Sequence, residues 1–313
     1  MYNLKTYISA WKRQHLHKGL FCTTQGSPMK KFFILLSCLI FFQLSAYKYD
    51  LAATAIFQNE APFLKEWIEF HRMLGVQKFY LYNNCSQDDY MAILKPYIKA
   101  GIVELEEAYI QADFNGTQVD CYNRTLIKTR EKVKWLAVID IDEYITFVDG
   151  PQSLVKALKK YEKFGGLALN WKCYGTSYVT LSRNDLMIEN LIYRMPSSHG
   201  WNFHVKSIVR PSCVQQFLGP HAPLYLKKYY GVDVDGKRSD GAFSKVIKND
   251  RFYITHFWTK DESFWENVKK PRRMKWGASI EELEALYDVL NEEIDETLLG
   301  YILELNARMS LVR

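Results

Sequence analysis

Asp140-Ile141-Asp142-Glu143-Tyr144 stands directly after the apolar run Trp135–Ile139. Carboxylates at i and i+2 on an extended segment leaving a buried strand both reach one hard cation, with Ile141 anchoring the turn between them. A Mn²⁺ or Mg²⁺ ion held in that way keeps open positions for phosphate oxygens and neutralises a departing anion. The same spacing also occurs in solvated surface turns, so the surrounding elements decide. Cysteine offers no rival metal site: Cys85, Cys121, Cys173 and Cys213 are widely spread without CxxC spacing. They suit either disulfides in an exported domain or buried free thiols.

The elements around this turn alternate. Leu51–Phe57 reads as a strand ending in Gln58-Asn59-Glu60, and Pro62 opens a helix to Leu74 whose Phe63, Leu64, Trp67, Ile68 and His71 share one face. Lys78–Tyr82 reads as a strand, Asp89–Lys99 as a helix, Ile102–Leu105 as a strand, and Gln118–Lys132 as a helix before the apolar strand Trp135–Ile139. The succession predicts an α/β fold with a mostly parallel sheet flanked by helices, in which Asn59, Asn83 and Asp140 meet at the carboxyl edge. Ser153–Tyr161 follows as a helix and Gly166–Trp171 as a strand. Residues 172–256 are irregular and aromatic, and Glu281–Met309 is an acidic helical tail. A single domain over 50–313 is expected.

The chain has 313 residues and a formal charge of +6, which by itself suggests an acidic partner. Residues 1–49 carry Lys5, Lys12, Arg13, Lys18, Lys30, Lys31 and Lys48 and no acid, so the remainder holds 34 basic against all 35 acidic groups. That balance excludes the basic excess of a nucleic-acid-binding domain. The charge belongs to a targeting pattern, in which Lys30-Lys31 precede the apolar run 32–46. This describes a cleaved secretory signal, starting from Met1 or Met29, or a single-pass signal anchor holding the protein at a membrane. Sequons at Asn84, Asn115 and Asn123 do not fix the compartment.

Further motifs extend the pattern. Asn59-Glu60-Ala-Pro-Phe-Leu-Lys-Glu-Trp67-Ile-Glu-Phe-His71, Leu74-Gly75-Val-Gln-Lys-Phe-Tyr80-Leu-Tyr82-Asn-Asn84 and Asp140-Ile-Asp142-Glu143-Tyr144 are followed in order by Asn170-Trp171, Leu186-Met-Ile-Glu189, His204-Val-Lys206-Ser-Ile-Val-Arg-Pro211 and Thr255-His256-Phe-Trp258-Thr-Lys260. Together they resemble glycosyltransferase family 92 and the related family 2-like enzymes over roughly 51–273. The resemblance implies a GT-A fold with a DxD motif, a nucleotide-sugar donor with a lean towards UDP-galactose, a divalent cation, and inversion at the anomeric carbon. Asp140 and Asp142 take the DxD role and His256 becomes the third metal ligand, with His221 as runner-up; imidazole favours Mn²⁺ over Mg²⁺. Asn59, Glu60, Asn83, Gln118, Asn123 and Asp140 are expected to line the donor site, Asn83 standing where these proteins usually carry Asp. Glu189 is the expected general base.

Three segments stay open on their residues alone. Lys269-Lys270-Pro271-Arg272-Arg273 serves as a lid over a diphosphate or as solvated surface, Tyr174, Gly175 and Ser177 form a close loop against a sugar, and the aromatics of Trp171–Trp201 stack on an acceptor or fill the core. The leading expectation is a metal-dependent inverting glycosyltransferase acting on a glycan, lipid or protein acceptor. The alternatives are a catalytically degenerate carbohydrate-binding protein and a phosphoryl-transfer enzyme using the same two aspartates.

Overall fold

The computed structural model describes residues 47–111 and 113–311. The basic tail and the apolar run 32–46 lie outside the described residues. Four parallel strands form the first half of a mixed sheet: β1 (Tyr49–Phe57), β2 (Lys78–Asn83), β3 (Val103–Glu107) and β4 (Val133–Val138), in the order β3-β2-β1-β4. Between them run α1 (Ala61–Met73), α2 (Tyr90–Lys99) and α3 (Phe114–Thr129). Pro62 in the first turn of α1 costs no hydrogen bond, because the leading amides of a helix have no partner anyway. Gly75, at φ 105, takes the left-handed turn that stops it. Helix α3 starts earlier than expected because the Asp113 side chain caps it by accepting the Gly116 amide.

Past β4 the sheet becomes mixed. β5 (Glu143–Phe147) follows the acidic turn at once, a strand hidden in the sequence by its acidic start. α4 (Leu154–Leu158) leads to the long buried β6 (Gly166–Tyr174). The irregular stretch resolves into α5 (Met187–Asn190), β7 (Tyr193–Arg194), β8 (Val205–Val209), the hairpin β9 (Val214–Gly219) and β10 (Ala222–Tyr225), β11 (Gly231–Val232) and β12 (Phe252–Phe257). β8 runs antiparallel between β4 and β6, while β12 lies parallel to β6 and antiparallel to β5. The chain continues through a π-helical turn, Trp265–Lys269, into α6 (Lys270–Lys275). The expected tail helix is two, α7 (Ile280–Leu290) and α8 (Ile302–Leu311), separated by β13 (Glu293–Ile294). Tyr301 fixes this tail by donating to the Phe147 carbonyl and accepting its amide.

Registers decide what meets at the carboxyl edge. Val138 at the end of β4 faces Ser207 of β8, which brings the neighbouring Lys206 beside the acidic turn. His256 of β12 faces Glu143 of β5, and the Phe257 amide donates to the Asp142 carbonyl. Two residues separated by more than a hundred positions are thereby fixed against each other.

Candidate active site

Helix α1 supports the acidic turn from below. The Trp67 indole N–H donates to the carbonyls of both Asp140 and Glu143, and His71 accepts the Ile145 amide at Nε2 while its Nδ1 bonds the Trp67 carbonyl. Burial drives the His71 imidazole down to about 3, so it stays neutral. These two residues belong to the motif that opens α1, and their helical spacing alone marks them only as core.

Asp140 is held on every side. Its Oδ1 accepts from the Gln118 amide at 2.7 Å and the Tyr122 hydroxyl at 2.8 Å, and its Oδ2 accepts from Lys206 Nζ at 2.8 Å. Lys206 is fully buried and also faces Glu143 at 3.5 Å. Burial alone would raise the Asp140 carboxyl, yet the Lys206 ammonium keeps it below the usual range. Glu143, wholly buried with Oε1 unpartnered, is driven well above its usual range by desolvation, against the pull of the Lys206 ammonium.

Asp142 differs. Its Oδ1 lies 3.6 Å from His256 Nε2 and its Oδ2 lies 3.8 Å from Lys269 Nζ, both outside hydrogen-bond reach. Burial opposes its charge, but His256, Lys269 and Lys260 hold it far below the usual carboxylate range. Burial lowers His256, whose buried Nδ1 has no partner. A carboxylate and an imidazole so spaced fit one divalent cation touching both. Among the described residues no group of three His, Cys, Asp or Glu side chains is placed to hold a metal ion, so a cation at Asp142 and His256 would need further ligands from outside the chain.

Asp140, Asp142 and His256 open onto a cavity of about 730 Å³. Glu60, Gln118 and His221 line it too, with the apolar Ile56, Phe57 and Phe114 and the indoles of Trp171 and Trp258. The basic run divides: Lys269, Arg272 and Arg273 line the cavity, whereas Lys270 pairs with Glu266 at the surface. Lys269 is brought down to about 8 by burial, against the pull of Asp142, and the Nε atoms of Arg272 and Arg273 are buried without partners. Glu60, raised by burial, forms an ion pair with Lys260, whose ammonium also lies 3.9 Å from the Phe264 ring. Lys260 holds a left-handed backbone conformation at φ 55, as does Asn59 at φ 56.

The other expected site residues fall elsewhere. Asn59 lines a second cavity of about 650 Å³ on the far side of Glu60. Asn83 spends its amide on Glu107 and Tyr90 and its oxygen on the Ser86 amide, fixing the loop after β2. Asn123 bonds both backbone groups of Phe217 and so latches α3 to β9. Glu189 is exposed outside the cavity: Glu66 accepts the amides of Met187 and Ile188, which turns those apolar side chains inward and Glu189 outward. Tyr174, Gly175 and Ser177 pack away from the cavity, Gly175 so closely against Asn291 and the Leu290 carbonyl that no side chain fits. The four described cysteines are free thiols. Lys206, Tyr122 and Lys260 were not expected as site residues from the sequence; Lys206 stood in a matched motif and Lys260 closed the one that begins at Thr255, but only the folded chain shows what they reach, Asp140 across the β4–β8 register and Glu60 after β1.

The sequence model described as Glycosyltransferase family 92 matches residues 53–275. The Arabidopsis thaliana glycosyltransferase family 92 protein At1g27200 is 25% identical over 195 residues, covering 56% of this chain and 31% of that protein. The Oryza sativa subsp. japonica family 92 protein Os08g0121900 is 27% identical over 184 residues, covering 54% and 28%. The chain thus matches about a third of the length of these curated relatives. Among solved structures, S. aureus TarS 1–349 in complex with UDP is 14% identical with a TM-score of 0.37, covering 77% of this chain and 69% of that one. HddC from Yersinia pseudotuberculosis is 15% identical with a TM-score of 0.30, covering 66% and 76%. The family match runs from within β1 to the end of α6, across the strands and turns that build the cavity, and the chain therefore belongs to glycosyltransferase family 92.

Proposed function

We propose that this chain is a metal-dependent, inverting glycosyltransferase that takes a nucleoside diphosphate sugar into the cavity and transfers the sugar to a hydroxyl of a glycan, lipid or protein. The observation that carries the reading is the juxtaposition of Asp142 and His256 beside three cavity-lining cations, Lys269, Arg272 and Arg273. A Mn²⁺ ion bound by Asp142 and His256 would supply Lewis-acid stabilisation of the leaving diphosphate. Lys269, Arg272 and Arg273 add fixed positive charge for the same oxygens, from a wall that needs no reorganisation. Asp140, its oxygens already taken by Gln118, Tyr122 and Lys206, supports the reading as fixed negative charge next to the cation and as a contact for the donor. Galactose is the first donor sugar to try. The N-terminal apolar segment is proposed to hold or export the protein at a membrane.

The test is release of nucleoside diphosphate from a panel of nucleotide sugars by the purified chain with Mn²⁺. Release by the wild type and its loss by at least about 100-fold in Asp142→Ala supports the reading. No release from any donor, or release that persists in Asp142→Ala, overturns it.

A further inference from the structure

Trp171 is the hub of the cavity floor. It stands on β6, only 8% exposed, with its ring stacked on His204 at 4.6 Å between centroids, edge-on to His221 at 5.0 Å and tilted on His256 at 4.3 Å. Locked by these contacts, it leaves its indole N–H buried and without a partner. A buried donor without a partner is uncommon, and at a residue that lines the cavity a ligand group can complete its bonding. His221 reaches the same floor from the turn between β9 and β10, and both residues line the cavity. Its Nδ1 bonds the Val205 carbonyl at 2.8 Å, which commits the ring proton there and leaves Nε2 as an acceptor. Burial, with the Lys206 charge behind it, brings the imidazole down to about 3 and so keeps it neutral.

We infer that Trp171 and His221 together bind one hydroxyl of an uncharged sugar, the indole N–H donating to its oxygen and His221 Nε2 accepting its proton, and so select which sugar is transferred. A hydroxyl both gives and receives a hydrogen bond, which matches one neutral donor beside one neutral acceptor. A carboxylate or phosphate there would face the His221 lone pair, and Lys206, the nearby cation, is already engaged by Asp140 and Glu143. The other cations of the cavity come from a different element: Lys269 and Arg273 lie over Trp258, and Arg272 over Trp276. The hydroxyl pair adjoins His256, so a sugar reaching it is still joined to a diphosphate held at Asp142. The inference rests on the glycosyltransferase reading and specifies its sugar subsite.

The experiment compares the wild type with Trp171→Phe, which keeps the ring and removes only the N–H, and with His221→Ala. For the best donor of the panel, kcat/KM is measured against its singly deoxygenated analogues, and nucleoside diphosphate affinity is measured by calorimetry. The expected result is one hydroxyl whose removal costs the wild type about 100-fold or more, with that discrimination falling below about tenfold in both variants. Diphosphate affinity should stay within about twofold, which also reports that the variants are folded. The inference is overturned if wild type and variants discriminate alike, if the wild type ignores every single deoxygenation, if the preferred sugar carries a carboxylate, or if the variants lose diphosphate affinity along with turnover. A wild type that releases diphosphate from no donor instead overturns the glycosyltransferase reading, before any variant is made.

Discussion

The buried Lys206 and the partly exposed Asp140 form a pair whose members cannot be separated without cost. Lys206 is fully buried and its ammonium is held to Asp140 at 2.8 Å, so Lys206→Met should destabilise the fold by about 1.5–3 kcal/mol, the range for losing a hydrogen bond to a charged group. The double variant Asp140→Asn with Lys206→Met should recover most of that loss in urea denaturation, because no uncompensated charge then remains. Equal stability of the single and double variants would show that the pair is not coupled. Glu189 makes the opposite case. It is exposed and turned from the cavity, so Glu189→Gln should leave kcat within about threefold of wild type, whereas removing a general base costs about 10²–10⁴-fold. Asp140 and Asp142 were legible in the sequence because an i, i+2 acidic pair directly after an apolar run states its own geometry. Lys206 was not, because a lysine in a strand names no partner until a register is known.

Helix α1 shows how an element carries the site without touching a ligand. Its Trp67 and His71 hold the acidic turn and β5, while Glu66, one position away, accepts the amides that open α5. Burial raises the Glu66 carboxyl from 4.5 to about 7, the two amides pulling the other way. The folded state therefore binds this proton more tightly than the unfolded chain does. Its stabilising contribution is complete below pH 4.5 and is lost as pH rises to 7, with a slope no steeper than about 1.4 kcal/mol per pH unit. Glu66→Gln removes the titration, so the stability difference between wild type and variant should move against the wild type across that window and be flat above it. Denaturation curves of the two proteins at pH 4.5, 6 and 7.5 check this, and a constant difference refutes it. The parallel half of the sheet and the helices α1 and α2 were readable from periodicity, since each is short-range. Strands β5 and β8 were not: β5 begins on acids, and β8 is defined by partners far along the chain, whereas the aromatic run 252–258 already read as a strand ending at His256 and only its partners were hidden.

At the scale of the whole molecule, residues 1–49 carry seven basic groups and no acid, the remainder is nearly neutral, and one cavity brings Glu60, Asp140 and Asp142 together with Lys269, Arg272 and Arg273. Asp142 faces Lys269 and His256 there at 3.8 and 3.6 Å, so a cation arriving between Asp142 and His256 meets a carboxylate and an imidazole with no short hydrogen bond between them to break. Binding to the folded state alone stabilises it by mass action, about 2.7 kcal/mol at a hundredfold excess over Kd. Adding Mn²⁺ to chelator-treated protein should therefore raise Tm, and adding a nucleoside diphosphate with it should raise Tm further, because phosphate oxygens complete the coordination and meet Arg272 and Arg273. The Mn²⁺ shift should vanish in Asp142→Ala and in His256→Ala. It should persist in Asp140→Asn, since Asp140 gives its oxygens to Gln118, Tyr122 and Lys206. Loss of the shift in Asp140→Asn as well would make Asp140 a direct ligand and require Lys206 to release it. A shift retained in Asp142→Ala would place the cation elsewhere and remove the central support for a metal-assisted sugar transfer.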